Sequence, residues 1–437
     1  IVVILNSLVR LSESITEYEP NDGSDSVIDS LNLTKEFNIT TILEEFDTLP
    51  NHGYGTKAKL VSKMEKTSNQ VKNISEDIFH VLGGHHASLD SEQVIKDGSF
   101  DAICVGEGEK AIIELVENIE NYSDSGQINP IKNLWYYDKK EKEIIKNPSD
   151  SFRQDLDNLP NINRRIWDKF IKDPSDYPAI LLGRGCPFKC TYCSNHAMAQ
   201  LSDGKFVRFR SPENIISEIE YILENYESVS RIYLEVETFG ANKKASFQIF
   251  DALADFNSKL ENKINYGANL ALTSNFMRNE ERCKELLEKA RHANLTMMNI
   301  GLESGSERMR KEVLLRPPYT NEELVRMCKL AKTYDIKVNF FVLIGLPGET
   351  LKDYFETVKV ARRAQPHSCL LSIFYPYLGT DLATQAISLG LVHSRDLVES
   401  DYSKAERSRS ILNLEGFSSR RIRIEYVIFW FRVYFGY

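Results

Sequence analysis

The sequence lacks any run of apolar residues long enough to span a bilayer, so it predicts no transmembrane helix. It also lacks an excess of positive charge. Its 54 lysines and arginines face 63 aspartates and glutamates, and the net charge of −9 excludes a global basic field that recruits nucleic acid. Its seven cysteines in 437 residues do not form a disulfide framework. We therefore expect reduced thiols, a cytoplasmic location and two or three globular domains.

Three of the cysteines lie in one short loop at a C-x3-C-x2-C spacing: Cys186, Cys190 and Cys193. The apolar run 179–182 precedes the loop, which therefore leaves the end of a predicted strand. Thiolates are soft ligands that favour iron–sulfur clusters, zinc or copper(I), and structural zinc takes four protein ligands. The remaining cysteines are distant in sequence, so a cubane cluster here would keep one iron for a non-protein ligand. A zinc knuckle and three incidental thiols are the alternatives.

With Tyr192 before its last cysteine, this loop resembles the radical S-adenosylmethionine (SAM) superfamily. The resemblance implies a [4Fe–4S] cluster on Cys186, Cys190 and Cys193, which become the catalytic and metal-binding residues, with Tyr192 beside the cofactor. It implies that the open iron binds the amino and carboxylate groups of SAM, and that the reduced cluster cleaves SAM to a 5′-deoxyadenosyl radical. It further implies an electron donor such as flavodoxin or ferredoxin and a small-molecule or natural-product substrate.

Two more motifs of this superfamily follow predicted strands. The resemblance assigns Glu237 to the SAM amino group, with a solvated carboxylate as the alternative. In a G-x-E-S motif, Glu303 and Ser304 are assigned to positions near the SAM ribose or carboxylate. Arg316 is assigned to the SAM carboxylate, because a guanidinium offers a bidentate fork. The alternative for Arg316 is a surface position.

A G-L-P-G-E-T motif follows the next predicted strand, 338–343. The resemblance assigns the backbone of Gly345, Pro347 and Gly348 to the SAM adenine. Six strands are predicted between residues 179 and 374, all but the last followed by a helix, and each motif falls at a carboxyl strand end. Parallel barrels place active sites at that end. The pattern predicts a partial (β/α)6 barrel.

Two glycine loops precede the barrel. The predicted strand 78–82 ends in Gly83 and Gly84, and the strand 100–105 ends in Gly106 before a helix, which predicts a doubly wound α/β layer. These loops resemble the cobalamin-binding domain of the radical SAM subfamily that contains anaerobic magnesium-protoporphyrin monomethyl ester cyclases and many methylases. The resemblance implies that the three glycines contact a cofactor. Cobalamin binding stays open, because residues 1–75 resemble that domain poorly and contain no D-x-H-x-x-G motif.

Adjacent histidines at His85 and His86 follow the first glycine loop. On an extended segment they would point to opposite sides, so we expect packing or a corrin contact rather than a metal site.

The predicted fold class is α/β: a partial (β/α)6 TIM-like radical SAM barrel preceded by an incomplete Rossmann-like domain of the cobalamin-binding type. We expect this Rossmann-like domain at 1–125, with a degenerate or truncated front part, and a connector at 126–175 that contains a hairpin. The catalytic barrel is expected at 176–392 and a C-terminal extension at 393–437. The basic, aromatic tail is expected to dock on the barrel, the alternative being a membrane-surface helix.

The leading hypothesis is a radical SAM enzyme that methylates an unknown substrate or modifies it by oxidation or cyclisation. Three alternatives stay open. The first is the same class without functional cobalamin. The second is a methylthiotransferase, which would need a second three-cysteine cluster, although only Cys104 precedes Cys186. The third is a non-enzymatic iron–sulfur or zinc module, which leaves the motifs at 303–304 and 345–350 unexplained.

Overall fold

The computed structural model describes most of the chain after residue 78. The described residues are 2–4, 79–96, 98–125, 130–138, 141–165, 168, 171–236, 239–270, 272–393, 397 and 410–435. The predicted site residue Glu237 lies outside them. Within these ranges, no helix is both long and apolar enough to cross a membrane.

The chain divides into two compact units. The first comprises Ile1–Phe152, Arg165–Lys172 and Gln200–Asp203. The second comprises Arg153–Arg164, Asp173–Ala199 and Gly204–Tyr437. The cysteine loop and the described residues predicted to bind SAM belong to the second unit. The three glycines predicted to contact a corrin belong to the first.

The first unit is built on a five-stranded sheet with the order β1-β2-β3-β4-β5. Its strands are β1 (Val2–Ile4), β2 (His80–Leu82), β3 (Ala102–Cys104), β4 (Leu134–Asp138) and β5 (Glu143–Lys146). Among these described strands only β2 and β3 pair in parallel. The sheet is mixed rather than doubly wound throughout, because β4 and β5 form the predicted hairpin and return antiparallel to β3.

The prediction of an extended segment at His85 and His86 is wrong. Both histidines begin a short helix directly after Gly84, and its backbone is fixed by the bond from the Ser88 N–H to the Gly84 carbonyl. Neighbouring residues of a helix diverge by about 100°, so the two side chains still point apart. The helices of this unit are α1 (His85–Leu89), α2 (Ser91–Lys96) and α3 (Glu109–Ser125).

The second unit contains a six-stranded sheet in the order β13-β12-β11-β10-β9-β6, and every described pair in it is parallel. Its strands are β6 (Ala179–Leu181), β9 (Arg231–Glu235), β10 (Asn265–Leu270), β11 (Leu295–Glu303), β12 (Lys337–Ile344) and β13 (Ser368–Ile373). A two-stranded ladder, β7 (Gly183–Arg184) with β8 (Arg208–Phe209), follows β6. The α/β class and the six predicted strands are confirmed.

Local sequence sets where the helices of this unit begin. Ser211 accepts a hydrogen bond from the Asn214 N–H, and Thr320 forms a capping box with Glu323. The helices are α4 (Ser194–Met198), α5 (Pro212–Asn225), α6 (Lys243–Lys259), α7 (Ser274–Met277), α8 (Glu280–His292), α9 (Asn321–Thr333), α10 (Leu351–Ala364) and α11 (Asp381–Ser388). A π-helix lies at Met309–Val313, between β11 and α9.

The two faces of the parallel sheet differ in burial. On β12, Phe340 and Val342 are fully buried, whereas Asn339 and Phe341 beside them are only half-buried. The buried set packs with helix side chains in one large core. Because side chains alternate along a strand, the other face of the sheet stays partly accessible.

The C-terminal segment forms α12 (Ser419–Tyr434), which packs on α10 and β13. Phe429 is fully buried, and the Tyr354 hydroxyl of α10 donates to the Glu425 carbonyl at 3.3 Å. The Tyr434 hydroxyl donates to the Pro366 carbonyl at 3.1 Å, just before β13. The prediction that the tail docks on the body of the barrel is confirmed.

Candidate active site

The cysteine loop lies between β7 and α4 and is anchored to the end of the π-helix. The Thr191 N–H donates to the Leu314 carbonyl at 3.2 Å, and the Thr191 hydroxyl donates to the Val313 carbonyl at 2.6 Å. The Cys193 N–H donates to the Cys190 carbonyl at 3.0 Å, which closes a turn. Cys190 is buried, and Cys186 and Cys193 are partly buried.

Two of the thiols share an electrostatic environment. Burial raises the pKa of Cys190, while the positive charge of Arg316 lowers it and the charge of Cys193 raises it. Burial also raises the pKa of Cys193, against hydrogen bonds from Asn195 that lower it. A metal requires thiolates, and Arg316 is the described cation that favours them at both positions.

A buried group of polar residues adjoins this loop, and we call Tyr192, Gly301, Glu303 and Arg316 the Arg316 cluster. Arg316 Nη1 donates to the Tyr192 hydroxyl at 2.8 Å, and that hydroxyl donates to Glu303 Oε1 at 3.0 Å. Arg316 Nη1 lies 3.7 Å from Glu303 Oε1, and Arg316 Nη2 donates to the Gly301 carbonyl. The structure therefore brings together three of the predicted site residues, Tyr192, Glu303 and Arg316. The surface alternative for Arg316 is wrong, because its side chain is only 15% exposed.

A strand irregularity sets the position of Glu303. The pairing of β11 with β12 shifts between Gly301 and Glu303, and Glu303 has a left-handed φ of 57°. A left-handed residue other than glycine costs on the order of 1 kcal/mol, and such strain clusters at functional sites. The shift turns the Glu303 carboxylate back towards Arg316.

Burial and charge have opposite effects on the pKa of Glu303 in the Arg316 cluster. Burial raises the pKa of Glu303, whereas Arg316 and the Tyr192 hydrogen bond lower it. The buried Arg316 Nε has no hydrogen-bond partner among the residues that the structure describes. A buried donor without an acceptor is costly, and a carboxylate ligand would satisfy it.

Ser304, also predicted to lie near SAM, is engaged within the protein. It is fully buried, and its hydroxyl accepts from the Ser306 N–H at 3.2 Å and lies 3.5 Å from the Thr357 hydroxyl of α10. The next residue, Gly305, donates its N–H to the Thr357 hydroxyl at 2.8 Å. This segment joins the end of β11 to α10.

Adding a side chain at Gly305 is expected to destabilise the second unit. A Cβ there would lie 2.4 Å from Thr357 Cα and 2.7 Å from the Glu356 carbonyl oxygen, and backbone atoms of α10 cannot move cheaply. We expect Gly305→Ala to lower the free energy of unfolding by about 2–4 kcal/mol, measured by urea denaturation. Gly390→Ala is the control. Gly390 has a φ of 66°, and an added Cβ would meet no described atom within 4 Å, so this variant should lower the free energy of unfolding by only about 1 kcal/mol. Equal effects of the two variants would contradict the close approach.

The predicted adenine loop follows β12. Gly345 and Gly348 have φ values of 83° and 71°, and Pro347 is buried between them. Glu349 Oε2 accepts from the N–H groups of Gly345 at 2.6 Å and Leu346 at 3.2 Å. The fully enclosed Glu349 side chain therefore fixes the shape of the loop from within.

The buried Glu349 carboxyl predicts a pH-dependent stability. Burial raises its pKa to about 8, against the two backbone donors, which lower it. The unfolded chain releases this proton near pH 4.5 and the folded chain retains it to about pH 8. Stability is therefore lost as the pH rises through this window, by up to about 4 kcal/mol.

We expect the thermal midpoint of the wild type to fall between pH 5 and 8 and that of Glu349→Gln to change less over the same range. Glu415→Gln, at an exposed position, is the matched control and should follow the wild type. If Glu349→Gln kept the wild-type pH profile, Glu349 would not hold a proton in the folded protein.

In the first unit, the predicted cofactor glycines lie at the carboxyl ends of the parallel pair β2 and β3. Gly83 and Gly84 follow β2, and Gly106 follows β3. The Gly106 N–H donates to the Ser88 hydroxyl at 3.0 Å, which ties the two loops together. A Cβ at Gly84 would meet no described atom within 4 Å. The two loops thus form one edge, with backbone that a flat ligand can approach.

In the part of the chain that the structure describes, no three His, Cys, Asp or Glu side chains converge as ligands of one metal ion. A cubane cluster does not require its cysteines to converge on one point, because each cysteine binds a different iron. The donor set of this loop, three soft thiols without a local fourth, suits such a cluster.

The family model described as "Radical SAM superfamily" matches residues 180–361, which run from β6 into α10. The chain therefore carries a radical SAM domain, and enzymes with this domain use a [4Fe–4S] cluster and SAM as cofactors. Among curated proteins, it is 26% identical over 371 residues to an uncharacterized methyltransferase of Pyrococcus horikoshii, covering 83% of this chain and 74% of that protein. It is also 26% identical over 356 residues to the anaerobic magnesium-protoporphyrin IX monomethyl ester cyclase of Rubrivivax gelatinosus, covering 80% of this chain and 61% of the cyclase.

Two solved structures share the fold. The radical SAM methyltransferase TsrM from Kitasatospora setae matches 82% of this chain and 69% of its own, with a TM-score of 0.61 and 14% identity. The cobalamin-dependent SAM radical enzyme OxsB matches 81% of this chain and 47% of its own, with a TM-score of 0.54 and 17% identity. The chain spans about half to three quarters of the length of these proteins.

Proposed function

We propose that this chain reductively cleaves SAM to methionine and a 5′-deoxyadenosyl radical, which removes a hydrogen atom from a carbon of a small molecule. A second SAM would supply, by way of cobalamin as a further cofactor, the methyl group that replaces this hydrogen. The observation that carries the proposal is the Arg316 cluster beside Cys190. A buried guanidinium lowers the pKa of a thiol in the predicted cluster loop, and its Nε has no acceptor among the described residues. That arrangement suits a ligand that offers a carboxylate close to an iron–sulfur cluster.

The candidate site residues have separate roles in this proposal. Cys186, Cys190 and Cys193 would hold the cluster, which supplies the electron that cleaves SAM. Arg316 would bind the SAM carboxylate, and Tyr192 and Glu303 hold the guanidinium in place through contacts of 2.8 and 3.7 Å. The backbone from Gly345 to Gly348, fixed by Glu349, would carry the adenine. Glu237 stays the candidate for the SAM amino group.

Cobalamin is supported by the first unit and by the relatives. Gly84 and Gly106 lie on adjacent loops at one sheet edge, where ligands of parallel α/β layers bind. The solved TsrM structure contains cobalamin and a [4Fe–4S] cluster, and OxsB contains aqua-cobalamin and SAM. Cobalamin belongs to the proposal because methyl transfer to an unactivated carbon needs it.

An external electron donor such as flavodoxin or ferredoxin and a reducing, cytoplasmic setting belong to the same proposal. All seven cysteines are free thiols, which suits such a setting.

Two anaerobic assays test the proposal. Protein reconstituted with iron and sulfide, then reduced with dithionite, should convert SAM to 5′-deoxyadenosine and methionine, quantified by chromatography. Incubation with hydroxocobalamin followed by desalting should leave a corrin absorbance with about one equivalent bound. Loss of SAM cleavage would contradict the reaction. SAM cleavage without retained corrin would contradict cobalamin-dependent methylation and favour a radical SAM reaction without cobalamin.

A further inference from the structure

A row of hydrogen-bonded polar side chains crosses the partly accessible face of the parallel sheet. Asn269, Asn299 and Asn339 are register partners on β10, β11 and β12. Ser368 is the register partner of Asn339 on β13. At the other end, Asn269 Nδ2 donates to Glu235 Oε1 of β9 at 3.1 Å. We call these five residues the amide row.

The donors of the amide row all point towards Glu235. The Ser368 hydroxyl donates to Asn339 Oδ1 at 2.8 Å, and Asn339 Nδ2 donates to Asn299 Oδ1 at 2.9 Å. Asn299 Nδ2 donates to the Tyr233 hydroxyl at 2.7 Å and contacts Asn269 Oδ1 at 3.4 Å. The row is therefore a polarised chain that ends in a carboxylate.

Two amides of the row keep donor capacity. Asn269 and Asn339 each use one amide hydrogen within the row, and the second has no acceptor among the described residues. Both side chains are half-buried and belong to the partly accessible face of the sheet. Neighbouring strands are about 4.8 Å apart, which separates the two amides by roughly 10 Å.

The amide row shares a sheet face with the Arg316 cluster. Asn299 lies four residues before Glu303 on β11, which corresponds to about 13 Å along the strand. Between these levels, Phe341 and Leu370 are in register with Gly301, and Leu370 is 41% exposed although it is apolar. Towards the carboxyl ends of the strands, this face therefore presents the polar amide row, then the apolar side chains of Phe341 and Leu370, and then the proposed SAM site.

Tyr177 closes the opposite end of this face. Its hydroxyl lies 1.8 Å from where a Cβ of Gly267 would stand, two residues before Asn269 on β10. Its ring packs edge-on against Tyr233 with 5.4 Å between centroids, and Arg231 lies over it at 5.1 Å. Tyr177 thus covers the sheet face beyond the amide row. The amide row is therefore the group of polar side chains on the accessible part of this face that lies farthest from the Arg316 cluster.

Asparagine is an unfavourable choice for a structural strand position. Strand interiors favour β-branched and aromatic residues, and asparagine is depleted there. Partly buried amides that only satisfy each other stabilise little compared with an apolar pair. Three asparagines in register on an accessible face, two of them with a spare donor, suit ligand recognition better.

We propose that the amide row binds an uncharged carbonyl or hydroxyl group at the end of the substrate remote from SAM, with an apolar segment against Phe341 and Leu370. This inference rests on the proposed function. The spare hydrogens of Asn269 and Asn339 donate to the acceptor. The Glu235 carboxylate at the end of the row disfavours a carboxylate or phosphate in the same place.

Binding of a matched pair of probes tests this proposal. Nonanamide and nonanoate have the same apolar chain and differ only in charge at the polar end. Their dissociation constants are measured by saturation-transfer NMR on the anaerobically reconstituted protein with SAM present. We expect the amide to bind at least about tenfold more tightly than the carboxylate. The double variant Asn269→Leu/Asn339→Leu should lose at least about tenfold of the amide affinity.

Two further variants complete the test. Asn262→Leu, at an exposed position before β10, is the matched control and should bind the amide as the wild type does. Glu235→Gln is close to isosteric. It should reduce the difference in affinity between nonanamide and nonanoate, and this result can be measured even if the double variant fails to fold. The proposal is overturned if neither probe binds, if nonanoate binds as well as nonanamide, or if Glu235→Gln leaves the preference unchanged. Substrate-free SAM cleavage, measured on the same wild-type preparation, reports separately on the proposed function.

Discussion

Replacing Cys190 with alanine is expected to abolish cluster loading and to lower SAM cleavage by at least about a thousandfold, because it removes one member of a catalytic unit. Cys190 is the buried thiol of the loop, and the positive charge of Arg316 lowers its pKa. Iron and sulfide analysis after anaerobic reconstitution, together with 5′-deoxyadenosine formation, measures both effects.

The matched control for this experiment is Cys283→Ala. Cys283 is also a buried thiol, but it lies on α8 within the main core. We expect this variant to keep wild-type iron loading and SAM cleavage, with a loss of stability of about 1 kcal/mol. If both variants lost iron equally, the effect would be one of folding rather than of ligation.

Replacing Arg316 with methionine is expected to lower the free energy of unfolding by about 3–5 kcal/mol, because Glu303 then stays buried without its cation. The pKa of Glu303 is already raised by burial, and losing Arg316 removes the main charge that opposes this rise. A carboxyl with a raised pKa loses stability as the pH increases, so the loss should be larger at pH 8 than at pH 5. Urea denaturation at both pH values measures it.

Two comparisons isolate the Arg316 contribution. The double variant Glu303→Gln/Arg316→Met should recover part of the lost stability, since no buried charge is left unpaired. Arg363→Met breaks the pair with Glu322 on the helix surface, where both side chains are exposed, and it should cost at most about 1 kcal/mol. If Arg316→Met and Arg363→Met lowered the free energy of unfolding equally, that result would contradict the burial of the Arg316 cluster.

The barrel strands were predictable because their pattern is local. The predicted strand 338–343 differs from the observed strand Lys337–Ile344 by one residue at each end. Alternation of apolar and polar residues and glycine at the carboxyl end are enough to define such strands. The capping box at Thr320 was predictable for the same reason, since Glu323 lies only three residues away.

The geometry of the Arg316 cluster could not be predicted from spacing. Tyr192 and Arg316 are 124 residues apart, and their hydrogen bond depends on how β11 ends. The register shift at Glu303 and its left-handed φ come from tertiary packing, which a strand pattern does not encode. The sequence prediction therefore identified the residues and not their mutual contacts.

The amide row was missed although its signal is in the sequence. Asn269, Asn299 and Asn339 each occupy a predicted strand, and parallel strands of one sheet bring such positions into line. Asparagine is depleted in strands, so three of them in neighbouring strands already indicated a polar face. The error at His85 had a different cause: the segment after Gly84 is too short for a helical pattern to show.

The central claim is that three thiols hold a cluster whose fourth iron binds SAM. Electron–nuclear double resonance of the reduced, reconstituted protein with SAM labelled with ¹⁵N at its amino group tests this most directly. We expect about four irons per chain and a hyperfine coupling to the labelled nitrogen that is lost in Cys190→Ala. Zinc alone in the loop, or a cluster without coupling to the bound label, would contradict it.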